Sequence, residues 1–215
     1  DYGSLVSPYD NDLITQYTYN ANDRVSEQKD PKGNTTTYTY DNLDRVTQVT
    51  DALTNTSQAG YDVVGNRIKS VDANNEVTCS KYDALYRVTK VIRVVSGNVN
   101  IRDTVPSSID CNTYTEDGDD AVTTYTYDKV GNQLTTTDPN LNPNTFTYNS
   151  LNQRISEVNA LSETTSYTYD SRGNQKTVTD PGGNTITNTY DKANRITGIT
   201  DSIGAVVTLY TYDAN

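Results

Sequence analysis

Tyr38-Thr39-Tyr40-Asp41 returns intact as Tyr125-Thr126-Tyr127-Asp128, Tyr167-Thr168-Tyr169-Asp170 and Tyr210-Thr211-Tyr212-Asp213. With the second tyrosine as anchor and a weaker flank allowed, the series runs Tyr19, Tyr40, Tyr61, Tyr82, Tyr127, Tyr148, Tyr169, Tyr190, Tyr212. Its spacings are 21, 21, 21, 45, 21, 21, 21 and 22. A second mark follows 11 residues after the anchor in seven units: Asp30, Asp51, Asp72, Asp138, Asn159, Asp180 and Asp201. A fixed period of this length denotes a repeat architecture, in which each unit is one supersecondary element unable to bury its face alone.

The alternation Tyr-Thr-Tyr puts both rings on one side of a strand and the threonine on the other. A turn follows at Asn22-Asp23, Leu43-Asp44, Gly65-Asn66, Gly131-Asn132, Asn152-Gln153 or Gly173-Asn174, where Gly, Asn and Asp tolerate positive φ. A basic residue then opens the returning strand at Arg24, Arg45, Arg67, Arg87, Arg154 and Arg195, with Gln133 and Gln175 as exceptions. Returning strands such as residues 45–50 and 195–200 are rich in β-branched side chains. The second turn, Asp30-Pro31-Lys32-Gly33-Asn34 or Asp180-Pro181-Gly182-Gly183-Asn184, carries proline early and glycine late, which is β-turn chemistry. Two strands and two turns fill the period, so the predicted fold is all-β: tandem hairpins with essentially no helix.

One array is predicted over residues 1–215, with a partial repeat at 1–16 and full repeats at 17–92 and 117–215. The long interval from Tyr82 to Tyr127 holds an inserted, extended hairpin at 93–116, turning at Ser96-Gly97-Asn98. Ten residues before Tyr127, Asp117 keeps the second turn mark. Cys79 and Cys111 stand 32 residues apart. They are either two separate thiols or one disulfide that pins the insert to the array, and spacing alone does not choose between these.

The composition is unusual for a folded chain. Leu, Ile, Val and Phe are scarce and the net charge is -11, a balance typical of disorder. The tyrosines contradict disorder, because an unfolded chain has no reason to hold them in register. A thin core of Tyr, Val and Ile edged by Thr is expected. No stretch gathers enough Lys or Arg to neutralise a row of phosphates, which argues against nucleic acid. No apolar run approaches the length of a membrane span. The chain opens at Asp1 with neither a Met nor a signal-peptide pattern, which suggests a processed form or a piece of a longer protein.

There is no histidine, so Ser-His and Cys-His machinery is excluded. The carboxylates fall on repeating turn positions, and no catalytic residue, cofactor site or metal site is assigned. Calcium is the one cofactor worth naming, at Glu116-Asp117-Gly118-Asp119-Asp120, although the spacing fits no dedicated loop. The tyrosine series is assigned as a structural ladder, with an aromatic platform for carbohydrate as its alternative.

The repeat resembles the YD or Rhs repeats, whose units run from Tyr-Asp-x-x-Gly-Asn-Arg to Asp-Pro-x-Gly-Asn. Tyr61-Asp62-Val63-Val64-Gly65-Asn66-Arg67 and Asp180-Pro181-Gly182-Gly183-Asn184 carry the resemblance most fully, and it extends over residues 9–215. It implies large secreted or surface proteins of bacteria, with teneurins as animal relatives. Their hairpins wind into a spiralling sheet, a solenoid or, in toxin relatives, a hollow shell around a cargo. The core segment that plugs such shells is missing here, so neither autoproteolysis nor toxicity transfers to any residue.

Two functions are therefore expected. The first is a non-catalytic extracellular module: a filament, stalk or wall segment of a larger YD protein. The second is an encapsulating shell, or an adhesion portion of a toxin or surface protein that binds carbohydrate or another cell-surface partner. Neither end shows a polar cap, and the exit strand at residues 205–210 is strongly apolar. The expected partners are neighbouring repeats of the same chain, or other copies joined head to tail.

Overall fold

The computed structural model describes residues 14–95 and 109–213. The expected hairpin about Ser96-Gly97-Asn98 and most of the partial first repeat lie outside these residues. The chain divides into two compact units, Asp1–Ala121 and Val122–Asn215. The first holds β1 (Gln16–Tyr19), β2 (Val25–Lys29), β3 (Thr35–Tyr40), β4 (Val46–Thr50), β5 (Thr56–Tyr61), β6 (Arg67–Val71), β7 (Val77–Tyr82) and β8 (Val88–Arg93). The second holds β9 (Ala121–Tyr127, starting on the boundary residue), β10 (Gln133–Thr137), β11 (Pro143–Tyr148), β12 (Arg154–Val158), β13 (Thr164–Tyr169), β14 (Gln175–Thr179), β15 (Thr185–Tyr190), β16 (Ile196–Thr200) and β17 (Val206–Leu209). Within each unit consecutive strands pair antiparallel as a meander. The protein is all-β, and no helix occurs among the described residues.

Every hairpin turn has the same five-residue build, numbered here from position one. In the turn 41–45, the Asp41 N–H donates to the Arg45 carbonyl at 3.0 Å and the Asp44 N–H to the Asp41 carbonyl at 3.1 Å. Position four is left-handed, with φ of 59° at Asp44 and 104° at Gly65. This is the three-residue hairpin loop that ends in a left-handed residue, a connection whose twist suits the flanking strands. All the positive-φ residues of the described chain occupy this position. The two turns of a unit, which look different in sequence, are therefore one device used twice.

Position one explains both sequence marks. The Asp41 Oδ1 accepts the N–H groups of Leu43 (2.9 Å) and Arg45 (3.0 Å), and Asp51 does the same with Leu53 (2.8 Å) and Asn55 (2.9 Å). In most turns its second oxygen is clasped by position five: Asn34 reaches Asp30 at 2.7 Å, Asn66 reaches Asp62 at 2.7 Å, and the Arg45 guanidinium reaches Asp41 at 2.7 Å; Glu76 and Ala205, facing Asp72 and Asp201, have no side-chain donor to offer. At two of the three turns that begin with asparagine the roles reverse: Asn149 donates to Gln153 at 2.7 Å, and Asn159 to Glu163 at 2.8 Å. At the third, Asn20, Arg24 reaches across to Asp44 instead. The arginines consequently divide, against expectation. Arg24, Arg45, Arg87 and Arg195 close turns at position five, whereas Arg67 and Arg154 stand on strands. The Asp117 turn is degenerate too. It keeps the bond from the Asp119 N–H to its carboxylate at 3.0 Å, but has no left-handed residue.

A β-bulge recurs next to the anchor tyrosine. Thr39 pairs with Gln48 and Tyr40 with Val46, so Thr47 is extra, and the same slip occurs beside Tyr19, Tyr61, Tyr82, Tyr127, Tyr148, Tyr169 and Tyr190. Residues opposite each other share a face, so each unit has a tyrosine face and a threonine face. On the second unit the threonine face carries Thr126, Thr135, Thr147, Ser156, Thr168, Thr177 and Thr187 in register.

The core differs from expectation. The fully buried hydrophobic residues among those described are Val71, Val77, Cys79, Ile92, Val94 and Cys111, and no tyrosine is among them. A single sheet has water on both faces, so its rings reach only half-burial. Full burial occurs where something lies on the sheet.

Candidate functional site: a tyrosine ladder and a clamped insert

The anchor tyrosines tie one unit to the next. Six hydroxyls donate to a backbone carbonyl one unit back: Tyr40 to Val25 (2.7 Å), Tyr61 to Val46 (3.0 Å), Tyr82 to Arg67 (2.9 Å), Tyr148 to Gln133 (2.9 Å), Tyr169 to Arg154 (2.8 Å) and Tyr190 to Gln175 (2.8 Å). The accepting residue is always the one paired with the preceding anchor at its bulge, which turns the ladder into a chain of unit-to-unit ties. The last unit is one residue longer, and a further bulge in β17 absorbs the excess. Tyr212 therefore still reaches the equivalent carbonyl, that of Ile196, at 2.8 Å. Tyr19, at the first described strand, is 60% exposed.

Arginines lie against the rings. Arg45 is 4.5 Å from the centre of Tyr61, Arg195 is 4.2 Å from Tyr212, and Arg154 sits between Phe146 (5.5 Å) and Tyr167 (5.0 Å). These guanidiniums occupy ring faces that a sugar would otherwise stack on. Partial burial, against the Arg154 guanidinium and with the Glu157 carboxylate, raises the Tyr167 phenol above its ordinary value.

The other constellation surrounds the two cysteines. Cys79 of β7 and Cys111 are joined by a disulfide with their Cα atoms 5.3 Å apart. The segment 109–120 thus lies over the threonine face of β6 to β8, where Val71, Val77, Cys79 and Ile92 replace the hydroxyls found elsewhere. Three lysines on that face hold the segment. Lys69 donates to the Ile109 carbonyl (2.9 Å), Lys81 to those of Cys111 (2.5 Å) and Asn112 (3.1 Å), and Lys90 pairs with Glu116. Burial lowers the Lys69 ammonium below its ordinary value, against the opposing pull of Asp110. The Lys90 hydrogen bond holds Glu116 below the usual carboxyl range.

The acidic run named for calcium is engaged by protein donors. Asp120 accepts the Val95 N–H (2.9 Å), the Tyr114 hydroxyl (2.7 Å) and the Asp117 N–H (3.1 Å). Burial, followed by the Asp120 hydrogen bond, raises the Tyr114 phenol well above its ordinary value. Among the described residues no group of three His, Cys, Asp or Glu side chains stands together as metal ligands. The lysine clamp was not anticipated from the sequence. Its signal was present, however: Lys81 stands where Thr39, Thr126, Thr147, Thr168 and Thr189 precede their anchors.

The family model described as RHS Repeat matches residues 11–56 and 148–185. None of the curated proteins matches the chain. Among solved structures, that of TcdB2-TccC3-Cdc42 is similar with a TM-score of 0.68 at 17% identity, over 93% of this chain and 11% of that one. TcdB2-TccC3 without its hypervariable C-terminal region gives a TM-score of 0.68 at 16% identity, again over 93% and 11%. The chain spans about a tenth of the length of the proteins whose fold it shares. Among the described residues no helix is long and apolar enough to cross a membrane.

Proposed function

We propose, from the premise that this chain is built of YD (Rhs) repeats, that it is a non-catalytic structural module: a length of β-wall from a longer YD-repeat protein, working outside the cell. The observation that carries this reading is the uniformity of the bonding. Unit after unit makes the same turn clasp and the same tyrosine tie, so the side chains that sequence singles out are consumed in joining one unit to the next. The turn carboxylates accept backbone N–H groups, which suits them to scaffolding and not to proton transfer. The disulfide supports an extracellular setting, because such bonds persist in oxidising compartments. The likeness to TcdB2-TccC3 over 93% of this chain supports the wall reading at the level of fold.

A wall has continuations, and the first and last described strands offer them. All of β1 is exposed, and in β17 Val206, Val207 and Leu209 are 58%, 59% and 72% exposed. Such edges are templates for a further strand. Hydrogen exchange with negative-stain microscopy tests the reading. In dilute protein the amides of β1 and β17 should exchange as open edges, and at high concentration fibres or hollow particles should form. A monomer with both edge strands protected would overturn it.

A further inference from the structure

Six of the ten leucines of this chain stand at turn tips. Leu43, Leu53, Leu85, Leu151 and Leu161 occupy position three of their turns, Leu141 position four, and each is more than 60% exposed. Turn tips ordinarily carry polar residues, and other turns here do so at the same position, with Asn22, Lys32, Asn74, Asn140 and Arg172. Leucine is therefore not required by the turn. In a chain so short of aliphatic residues, spending leucine at exposed tips calls for a separate cause.

Apolar tip residues are densest on one rim of the first unit, which holds Leu43 and Leu85 of these six leucines together with two valines and a tyrosine. The turns 41–45, 62–66 and 83–87 lie at the same end of β3 to β8 and present Leu43, Val63, Val64, Leu85 and Tyr86 at 58 to 96% exposure. Successive tips are two strand spacings apart, about 10 Å. The row is held in place laterally, since Arg24 pairs with Asp44 at 3.2 Å and Arg45 donates to the Asp62 carbonyl at 3.2 Å. Its carboxylates are engaged internally as well: Asp41 by Arg45, Asp83 by Arg87 and Asp44 by Arg24, and Asp62 by the Asn66 amide and three backbone N–H groups. What faces outward is a stiff, apolar comb whose carboxylates are tied up by their own and neighbouring turns.

We propose that this rim docks on the same rim of a second copy of this chain, in a two-fold, isologous contact. Two features choose that occupant. The comb has the pitch of the repeat, so an array of the same repeats matches it tip for tip. With three of the four rim carboxylates ion-paired and Asp62 held by its own turn, like can meet like against little opposing charge. Five side chains fall short of the roughly 800 Å2 per partner of a standard interface, so the dimer is weak and concentration-dependent. Each copy carries a net charge of -11. Added salt screens that repulsion and strengthens the dimer, the opposite of what a basic partner would show. This contact is separate from the strand-edge joining proposed above.

Sedimentation velocity of the 215-residue chain from about 1 μM to about 1 mM, at low and at high salt, tests the proposal. The triple variant Leu43→Asn, Val64→Asn and Leu85→Asn places at each tip a residue that position three already accepts elsewhere. Leu53→Asn, on the opposite rim, is the control. A wild-type dimer that salt strengthens, that the triple variant weakens by roughly tenfold or more and that the control keeps is the expected result. A wild type monomeric throughout, or a dimer the triple variant leaves intact, would overturn it. The second outcome would assign association to the strand edges, and the wall reading would stand.

Discussion

Replacing Tyr148 separates the two contributions of a ladder tyrosine. Its hydroxyl donates to the Gln133 carbonyl at 2.9 Å, and its ring is half-buried beside Arg154. Tyr148→Phe removes only the hydroxyl. The orphaned carbonyl sits at a partly solvated bulge where water can replace the lost donor, so the net change should lie near 1 kcal/mol. Tyr148→Ala removes the ring as well. A fully buried aromatic costs about 3 to 5 kcal/mol on truncation; this ring keeps part of its surface in water, which brings the expectation down to about 2 to 3 kcal/mol. Stability in a repeat array is coupled mainly between nearest neighbours. Hydrogen exchange by mass spectrometry should therefore show loosening across the strands from β9 to β13, with β15 and β16 unchanged. A Phe variant as damaging as the Ala variant would refute the division between ring and hydroxyl. Uniform loosening of the whole second unit would refute the unit-to-unit tie.

The turn clasp predicts a compensating pair: Asp138→Asn exchanges a charged acceptor for a neutral amide pair of the Asn149–Gln153 kind and should cost up to about 1 kcal/mol, while adding Asn142→Glu, which recreates the charged Asn159 and Glu163 arrangement, should recover most of it in a urea-unfolding double-mutant cycle. Thr54, a β-branched residue held at φ 67°, should gain about 1 kcal/mol on Thr54→Gly, read as a higher urea midpoint, whereas a loss would mean that its left-handed geometry is unstrained. Asp30, Asp51, Asp170 and Asp180 are held below the ordinary carboxyl value, foremost by the side-chain amide at position five and against partial desolvation. Depressed folded values mean stability present above the unfolded value of about 3.9 and lost as pH falls through the lower folded ones, so the urea midpoint should hold from pH 7 to about 5 and drop below about 4; a midpoint that declines near pH 6 would contradict this. Cys111→Ser removes a link worth about 3 to 4 kcal/mol in the chain-entropy account, and exchange should rise over residues 109–120 and around Val77 and Ile92, with the second unit unaffected.

The sequence shows the period, the strand order and the face of each tyrosine, because alternation and turn residues are local signals. The bulge is hidden. Thr47 looks like any strand threonine, and only the slip between Thr39–Gln48 and Tyr40–Val46 exposes it. The shared design of the two turns was obscured because Asp41 follows a tyrosine and Asp51 follows a threonine, although both bind the same two backbone positions. Arg45 and Arg67 look equivalent until the turn is counted, when one proves to clasp a carboxylate and the other to begin a strand. The cysteine pairing depends on how the insert folds back on β7, which spacing does not encode. The apolar tips escape a pattern search because hydrophobic residues are sought in strands, where they build the core.

The extra residue in the last unit has a consequence for how such genes change. Tyr212 recovers its carbonyl across a unit of 22 residues because the β17 bulge takes up the slip within a single strand. A one-codon insertion in an array of this kind is thus a local event that the next tie corrects, not a frame error passed down the chain. Repeated units invite unequal recombination, and a joint that resets register at every anchor lets unequal products still assemble. Arrays joined in this way can lengthen, shorten and exchange units without each unit having to be re-fitted to its neighbours.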